Sequence, residues 1–207
     1  MTKIDQNKIF SDITFVMGAH NSSQIPQHHY PEIALIGASN VGKSSLINAI
    51  FNKKIAIVSS TPGRTRQLNF FKVAGFKDGF FVVDLPGYGY AEAAFKHQQH
   101  WQKTTFEYLL NRVNLKRVFL LIDAVKGLKD HDLEVIEFFN NHGILFQVVV
   151  TKIDKILLSK QTELSDDLIK RLENYSAFYN KILLVSSDKK FGIKSIQNEI
   201  INLLKNQ

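Results

Sequence analysis

The first residues whose types and spacing could do chemistry are GASNVGKS at positions 37–44, which fit the phosphate-binding pattern G-x-x-x-x-G-K-[ST]. The glycines let the backbone curl so that successive N–H groups face a phosphate, and a following helix adds its positive end. Lys43 is expected to reach the β- and γ-phosphates, and the Ser44 hydroxyl to bind Mg²⁺. A chance glycine-rich turn is the alternative, but the motif lies between an apolar run and a helical pattern. The predicted phosphate-binding residues are Gly37, Ala38, Ser39, Asn40, Val41, Gly42, Lys43, Ser44 and Ser45.

A second motif, Asp84-Leu85-Pro86-Gly87, ends the apolar run FFVVD. Asp84 is predicted to hold the magnesium ion, through a water molecule, and Gly87 to offer its backbone N–H to the γ-phosphate. Alone, these four residues would fit an ordinary turn. Together with the glycine-rich loop they predict a nucleoside triphosphate site.

Two further motifs suit a guanine base. Thr151-Lys152-Ile153-Asp154 follows the apolar run FQVVV, and an aspartate there can accept bonds from N1–H and the 2-amino group of guanine. Adenine lacks both donors, so it would leave a buried carboxylate unpaired. Val185-Ser186-Ser187 follows the run ILLV and can offer backbone N–H to the guanine O6. A solvated lysine and aspartate after a strand is the alternative for the first of these motifs.

A fifth motif, TPGRT at 61–65, lies in a predicted loop. A threonine there can complete the magnesium shell when the triphosphate is bound, and Thr65 is preferred over Thr61 because the next strand begins just after it. A polar surface loop is the alternative. The predicted nucleotide contacts in this region are Gly63, Arg64, Thr65, Arg66 and Gln67.

The elements that must position these motifs alternate between strands and helices. This alternation predicts an α/β fold of the P-loop G-domain type: a mostly parallel six-stranded sheet with one antiparallel edge hairpin and helices on both faces. Ligands bind such sheets at the carboxyl ends of the strands, where four of the five motifs lie. The predicted strands are 32–37, 67–73, 80–83, 118–122, 145–150 and the ILLV run at 182–185. The predicted helices run from the glycine-rich loop to about residue 52 and then over 94–111, 130–141, 164–179 and 193–204.

Length and composition are those of one globular domain, predicted over 31–207 after an N-terminal arm at 1–30. The 207 residues include no cysteine, which excludes disulfides and thiolate metal sites. There is neither an apolar run that could cross a bilayer nor a secretory signal pattern, so we expect a cytoplasmic monomer without a membrane site. His97 and His100 lie one helical turn apart, but two ligands are too few for a structural zinc site.

The net charge of +7 is unevenly distributed. No acidic residue occurs from Ile33 to Lys77, whereas seven lysines and arginines do. A positive field over part of the molecule suits phosphates. Charge alone leaves open whether this region serves only a nucleotide or also contacts RNA.

The sequences of the motifs resemble those of a known family. GASNVGKSSLINA, TPGRTRQLNFF, DLPGYGYA, TKIDK and VSS are similar, segment for segment, to stretches of the EngB family, which belongs with the Era- and TrmE-type translation-associated GTPases. The resemblance covers about residues 30–205. It implies a cytoplasmic bacterial GTPase that helps to mature the large ribosomal subunit and whose loss impairs division and septation. Ala38 departs from the family pattern, which often has a basic residue there, whereas Thr151 agrees with it.

The resemblance also bears on hydrolysis. GTPases of the Ras type orient the attacking water with a glutamine just after D-x-x-G, and this chain has Tyr88 there, which predicts slow intrinsic hydrolysis. In related GTPases an asparagine at the position of Asn40 helps to bind K⁺, so we expect a response to K⁺ or to a ribosomal partner. Arg64 or Arg66 is the alternative source of positive charge. The predicted catalytic residues are Lys43, Asn40, Thr65 and Gly87, and the predicted metal ligands are Ser44, Thr65 and Asp84.

Two other classes of protein share some of these features. A P-loop ATPase or nucleotide kinase would have the phosphate loop, but it needs no guanine pocket and so does not account for TKID and VSS. A non-catalytic, nucleotide-gated scaffold that binds RNA would account for Tyr88 at the glutamine position. Competition of labelled GTP by ATP separates the first from a GTPase, and partner-stimulated turnover separates the second.

Overall fold

Apolar runs form the centre of a seven-stranded sheet in the computed structural model, which describes residues 6–58, 67–75, 78–89 and 103–205 and, of the first helix, only the side chains from Ile9 onward. The order across the sheet is β1-β3-β4-β2-β5-β6-β7. The strands are β1 Ile13–Ala19, β2 Glu32–Gly37, β3 Leu68–Val73, β4 Phe80–Asp84, β5 Leu115–Asp123, β6 Phe146–Thr151 and β7 Leu183–Leu184. The helices are α1 Gln6–Ser11, α2 Lys43–Phe51, α3 Lys103–Asn111, α4 Asp130–Asn141, α5 Leu158–Leu172 and α6 Ile193–Lys205.

The neighbouring strands β4, β2, β5, β6 and β7 are parallel to one another. β3 pairs antiparallel with β4 on one side and with β1 on the other. The α/β class and the parallel centre of the sheet are therefore as predicted. The carboxyl ends of β2, β4, β5, β6 and β7 meet at one edge, so the loops that carry the sequence motifs lie near one another.

The predicted number of strands and the edge position of the hairpin are wrong. Residues 13–19, which the sequence pattern left within an arm or loop, form the edge strand β1 and pair with β3. The β3–β4 hairpin consequently lies inside the sheet. No regular alternation marks β1, because a bulge between Phe15 and Met17 breaks its register and Phe15 and Val16 are both exposed.

Helices cover both faces of the sheet, as predicted. On one face α3, α4 and α5 contribute buried residues such as Tyr108, Phe139 and Leu168 to one apolar cluster. On the other face α1, α2 and α6 contribute residues such as Leu46 and Ile196 to a second cluster. No helix in the described part of the chain is long and apolar enough to span a bilayer.

The prediction for the fifth helix is wrong in its bounds, since α5 spans Leu158–Leu172 rather than 164–179. Tyr175 and Phe178 continue the apolar spacing and pack on the core, but they do so from turns. Because apolar residues keep a helical spacing beyond Leu172, the predicted helix ends too late. The first turns of α5 are mostly polar, so the predicted helix also begins too late. By contrast, α4 has the predicted bounds, and of 94–111 only 103–111 lies within the described residues.

A buried polar cluster fastens α3 to the segment before β2. The Glu32 carboxylate is fully buried and accepts bonds from the Tyr108 hydroxyl at 2.7 Å and from Arg112 Nε at 2.8 Å. Arg112 also donates to the Pro26 carbonyl at 2.7 Å. The ring of His28 lies 3.1 Å from the same carboxylate, and burial lowers the pKa of His28. These bonds tie the far end of the sheet, opposite the motifs, into one unit.

Candidate functional site

The glycine-rich loop joins β2 to α2 by a tight path that its residues make possible. Asn40 and Gly42 adopt left-handed backbone conformations, with φ of 63° and 108°, and Gly42 caps the first turn of α2. A Cβ on Gly37 would lie 2.7 Å from the carbonyl oxygen of Leu121 on β5, so only glycine fits there. The loop therefore turns sharply at the strand end and aims the start of α2 at the space above it.

Lys43 and the D-x-x-G motif meet under this loop. The Lys43 ammonium lies 3.4 Å from the Gly37 carbonyl oxygen, across the loop. A Cβ on Gly87 would lie 3.0 Å from the same ammonium and 3.3 Å from the Cα of Ser39. Burial lowers the pKa of Lys43, and the Asp84 carboxylate acts in the opposite direction. The cation and the Gly87 backbone are thus placed together where a phosphate would need both.

Asp84 sits at the end of β4 with an orphaned oxygen. Its side chain is buried, and Oδ1 has no hydrogen-bond partner among the described residues. Burial raises the pKa of Asp84 to about 6, and the Lys43 ammonium opposes that rise. A buried carboxylate without a partner is costly unless a cation or a donor joins it. Together with Ser44 in the first turn of α2, it supplies the hard oxygen donors that Mg²⁺ prefers, so these residues fit that ion.

The two motifs predicted to recognise the base lie next to each other after β6 and β7. Asp154 lies in a short 3₁₀ helix, Ile153–Lys155, and the Ile153 N–H donates to the Val185 carbonyl at 3.2 Å. A hydrogen bond from the Ser186 hydroxyl lowers the pKa of Asp154, and the Lys155 and Lys189 ammonium groups add to this effect. Asp154 is therefore an ionised acceptor at neutral pH, held next to the loop of small residues.

The loop after β7 is closed by its own bonds. The Ser186 N–H donates to the Phe191 carbonyl at 3.0 Å, and the Ser186 hydroxyl oxygen accepts from the Lys189 N–H at 3.0 Å. Gly192 ends the loop with φ of 72°, and a Cβ there would lie 2.0 Å from the Leu184 carbonyl oxygen. Glycine is therefore required at 192 for both conformation and space.

Asp123, which the sequence reasoning missed, connects the base motif to the phosphate loop. Lys152 adopts a left-handed conformation, and its ammonium donates to the Asn40 carbonyl at 2.8 Å and to Asp123 Oδ2 at 2.7 Å. Thr151 Oγ1 donates to the Val41 carbonyl at 2.7 Å. Burial alone would raise the pKa of Asp123, but bonds from Lys152 and nearby backbone N–H groups lower it. The available signal was an acid ending the apolar strand FLLID, as Asp84 ends FFVVD.

Comparisons with known proteins establish the family of the chain. A family model described as a 50S ribosome-binding GTPase matches residues 32–152. The probable GTP-binding protein EngB of Rickettsia akari is 42% identical over 206 residues, covering 97% of this chain and 93% of its own. The chain belongs to the EngB family of GTP-binding proteins. The EngB protein of Thermotoga petrophila is 39% identical, covering 95% of this chain and 98% of its own.

Solved structures support the same fold for this EngB-family GTPase. Era of Aquifex aeolicus, bound to GDP·AlF4⁻, superposes with a TM-score of 0.70 at 22% identity, over 85% of this chain and 57% of the Era chain. The FeoB G domain of Methanococcus jannaschii gives a TM-score of 0.56 at 26% identity, over 86% of this chain and 99% of its own. The family and the fold together identify a GTPase.

Tyr88 of this EngB-family chain is held by hydrogen bonds to both its side chain and its backbone. Its hydroxyl donates to Asp132 Oδ1 at 2.6 Å, and its backbone carbonyl accepts from the Ser39 N–H at 3.0 Å. Asp132 lies in the first turn of α4 and also accepts from the Lys129 N–H at 2.9 Å. Burial raises the pKa of Tyr88 well above its ordinary value, and Asp132 raises it further. The tyrosine is therefore fixed between the phosphate loop and α4.

Several predicted site residues are not part of this geometry. Gln67 donates from Nε2 to Asn69 Oδ1 at 3.0 Å, and its side chain lies against Gly18 on β1. Its predicted contact with the nucleotide stays a prediction. The predicted site residues Gly63, Arg64, Thr65 and Arg66 lie outside the described ranges, and so do His97 and His100, for which no metal site was predicted.

Proposed function

We propose that this EngB-family GTPase binds GTP with Mg²⁺ where β2, β4, β6 and β7 end, and hydrolyses it slowly to GDP and phosphate. The observation that carries the proposal is the meeting of Lys43, Asp84 and Gly87 around the glycine-rich loop. Lys43 would bind the β- and γ-phosphates, and the Gly87 N–H the γ-phosphate. Other N–H groups of the loop from Gly37 to Ser45 would hold the remaining phosphate oxygens, since those of Ser39 and Val41 already donate to the Tyr88 and Ala38 carbonyls.

The proposed magnesium ligands are Ser44, Asp84 through a water molecule, and Thr65 from the region outside the described residues. When bound, Mg²⁺ would neutralise charge on the β- and γ-phosphates. The buried, unpartnered oxygen of Asp84 supports its part in this set. Asp84 would orient the metal-bound water, and Ser44 would present its hydroxyl from the first turn of α2.

Guanine specificity is proposed to come from Asp154, which would accept from N1–H and the 2-amino group. Ser186 would hold that carboxylate in place, while the Ser187 N–H of the loop from Val185 to Ser187 would approach O6, since the Val185 and Ser186 N–H groups already donate to the Val150 and Phe191 carbonyls. The Lys152 stem would lie along the base, because its ammonium bonds to Asn40 and Asp123. Excess ATP should therefore fail to displace labelled GTP, whereas displacement by ATP would favour a P-loop ATPase or kinase.

Efficient hydrolysis is proposed to require a cation or a partner molecule in addition to the residues of this chain. The Tyr88 hydroxyl is bonded to Asp132, so it is not placed to position a water molecule. We infer that K⁺ near Asn40, or a ribosomal partner, supplies the missing stabilisation of charge. Turnover measured in KCl and in NaCl, with and without large ribosomal subunits, tests this inference. Equal rates under all four conditions would contradict it and favour the non-catalytic scaffold.

The proposed cellular role is a GTP-dependent switch in assembly of the large ribosomal subunit, performed by a monomer in the cytoplasm. The family model that matches residues 32–152 is described as a 50S ribosome-binding GTPase, which supports this role. The matched residues include the glycine-rich loop, D-x-x-G and the start of TKID. The GTP-bound form would bind the subunit, and hydrolysis would release it. Contacts with ribosomal RNA or ribosomal proteins would make up the interface.

Sedimentation tests this role directly. The purified chain is mixed with large subunits in GTP, a non-hydrolysable GTP analogue, GDP or ATP, and the pellet is analysed. Pelleting with GTP and its analogue alone is expected. Intact GTP binding without nucleotide-dependent pelleting would contradict the ribosomal role while leaving the GTPase assignment in place.

A requirement for normal division and septation completes the proposal, on the family resemblance alone. Depletion of the chain in its own cells should produce large-subunit precursors first and septation defects afterwards. Septation defects without a change in the ribosome profile would separate the two roles and contradict the proposed order.

A further inference from the structure

Two segments that are far apart in the sequence form one surface beside the guanine motifs. The end of α2 with the residues after it, 52–54, lies next to the loop and first turn of α6, 188–194. Lys190 Nζ donates to Asn52 Oδ1 at 3.1 Å, and Gln197 Nε2 donates to the Ile50 carbonyl at 2.6 Å. We call residues 52–54 and 188–194 the basic–aromatic surface.

This surface carries an excess of positive charge. It contains five lysines and a single acid, Asp188, and all five lysines are exposed. Asp188 lies 3.2 Å from Lys189 and so neutralises one of them in part. Lys54 and Lys194 are in no ion pair with any residue that the structure describes. Lysines displayed without acidic neighbours attract polyanions, and they do so in a salt-dependent way.

An exposed aromatic ring stands among these lysines. Phe191 is 54% exposed, although the chain has a core that could have buried it. Its backbone is held by the bond from Ser186, and Lys190 before it has a left-handed φ of 53°. The loop is thus fixed with its aromatic residue at the surface, where the ring contributes little to the core.

We propose that the basic–aromatic surface binds single-stranded RNA, with Phe191 stacking on an unpaired base and Lys54, Lys190 and Lys194 contacting phosphates. The choice of RNA rests on the proposed ribosomal function, and the chemistry on the surface itself. A face that met only duplex backbone or an acidic protein would need the lysines but no stacking platform. Because Ser186 and Phe191 share one closed loop, the RNA lies next to the guanine site.

Fluorescence anisotropy with an end-labelled, unstructured 12-nucleotide RNA tests the assignment in the full-length chain. The charge variant K54E/K194E should weaken RNA binding at least tenfold and reduce the slope of log K against log salt by about 1.4, since each lysine accounts for roughly 0.7 on a single strand. The variant F191A should weaken binding about five- to a hundredfold with the salt slope unchanged, because stacking releases no counterions.

The matched control is K160E/K170E, which changes the net charge equally on α5, on the opposite face of the sheet. It should weaken RNA binding less than threefold. Equal losses in the two double variants would mean that net charge alone attracts RNA, and would overturn the assignment. Unchanged RNA binding with lost pelleting on the large subunit would point instead to an acidic protein partner, and would also overturn it.

The ribosomal role fails in a different way. If the unaltered chain binds the RNA through this surface but never pellets with large subunits in any nucleotide, the proposed function is wrong and the surface stands. GTP affinity, measured with a fluorescent analogue, should be the same in K54E/K194E and in the unaltered chain, which confirms that the variant is folded.

Discussion

The proposed role of Asp154 shows how a single residue could determine the choice of base. A hydrogen bond from Ser186 lowers the pKa of Asp154, and the ionised carboxylate would offer only acceptors to an entering base. Guanine presents two donors at that edge, and every base without them would leave the charge unpaired. A charged acceptor left unsatisfied costs more than a neutral one, which makes the discrimination steep.

The variant Asp154→Asn is expected to exchange guanine for xanthine specificity. The amide would offer an N–H where the carboxylate offers an oxygen, and xanthine carries a carbonyl in place of the 2-amino group. Loss of two charge-assisted bonds should weaken GTP binding about a hundredfold or more. Fluorescent-nucleotide titration with GTP and XTP measures it, with Asp167→Asn on the surface of α5 as the control. Unchanged preference for GTP would place base recognition elsewhere.

A second residue-scale prediction concerns Asp123, which is expected to act on nucleotide binding through its bond to Lys152. Asp123→Asn retains an oxygen for the backbone N–H groups but turns an amide toward the Lys152 ammonium. The lysine would lose its anchor, and dissociation of both GTP and GDP should become about tenfold faster, the loss of roughly 1.4 kcal/mol. Stopped-flow release of a fluorescent nucleotide is the measurement.

A double-mutant cycle distinguishes positioning from a general structural effect. In the Lys152→Ala background, adding Asp123→Asn should change the dissociation rate less than twofold, because its only route of action has already been removed. Additive effects would show that Asp123 acts by another route. The melting temperature of the nucleotide-free Asp123→Asn protein should stay close to that of the unaltered chain.

Among the elements, the loop between β7 and α6 requires glycine at position 192. In Gly192→Ala the new Cβ would be strained by the left-handed backbone and would also clash with the Leu184 carbonyl. In Gly127→Ala the backbone has a similar φ of 64°, but the new Cβ would enter open space. Gly127→Ala should therefore cost only the backbone strain, about 1 kcal/mol, and Gly192→Ala clearly more. Urea unfolding measures both. Equal losses would mean that the loop yields freely at Gly192.

The same elements show where sequence reasoning succeeded and where it could not. The centre of the sheet was predictable because β2, β4, β5 and β6 each contain several adjacent apolar residues, and the predicted motifs follow β2, β4 and β6 directly. The edge strand β1 was not, since a bulged strand with exposed apolar residues has no period. Asp123 and Asp132 were missed because their importance depends on Lys152 and Tyr88, which reach them only in the folded chain.

At the scale of the whole molecule, the buried cluster around Glu32 joins the N-terminal segment, α3 and the start of the sheet. It lies at the far end from the nucleotide site, so it can be altered without touching the chemistry. Its titratable members are His28, Glu32, Tyr108 and Arg112, with Lys72 and His29 nearby. Because burial lowers the pKa of His28, this cluster should make the free energy of unfolding depend on pH.

His28 should make the protein less stable in mild acid. Its folded-state pKa lies below the ordinary value of 6.5, so the unfolded chain takes up a proton there more readily than the folded one. The free energy of unfolding should fall as the pH drops through about 6.5. His28→Gln should lose less stability than the unaltered chain between pH 7.5 and pH 5.5, in urea titrations. His20→Gln, exposed in the same segment, should behave as the unaltered chain does, and an unchanged loss in His28→Gln would contradict the assignment.

Tyr88 has a consequence for how a signal could leave the nucleotide. The residue is anchored twice, by its backbone to the phosphate loop and by its side chain to α4, and Gly89 after it takes a left-handed φ of 78°. A rearrangement set off at the γ-phosphate cannot pass through Tyr88 without breaking a buried bond. Gly89 is therefore the first residue after these two anchors at which the backbone can change direction without breaking either bond.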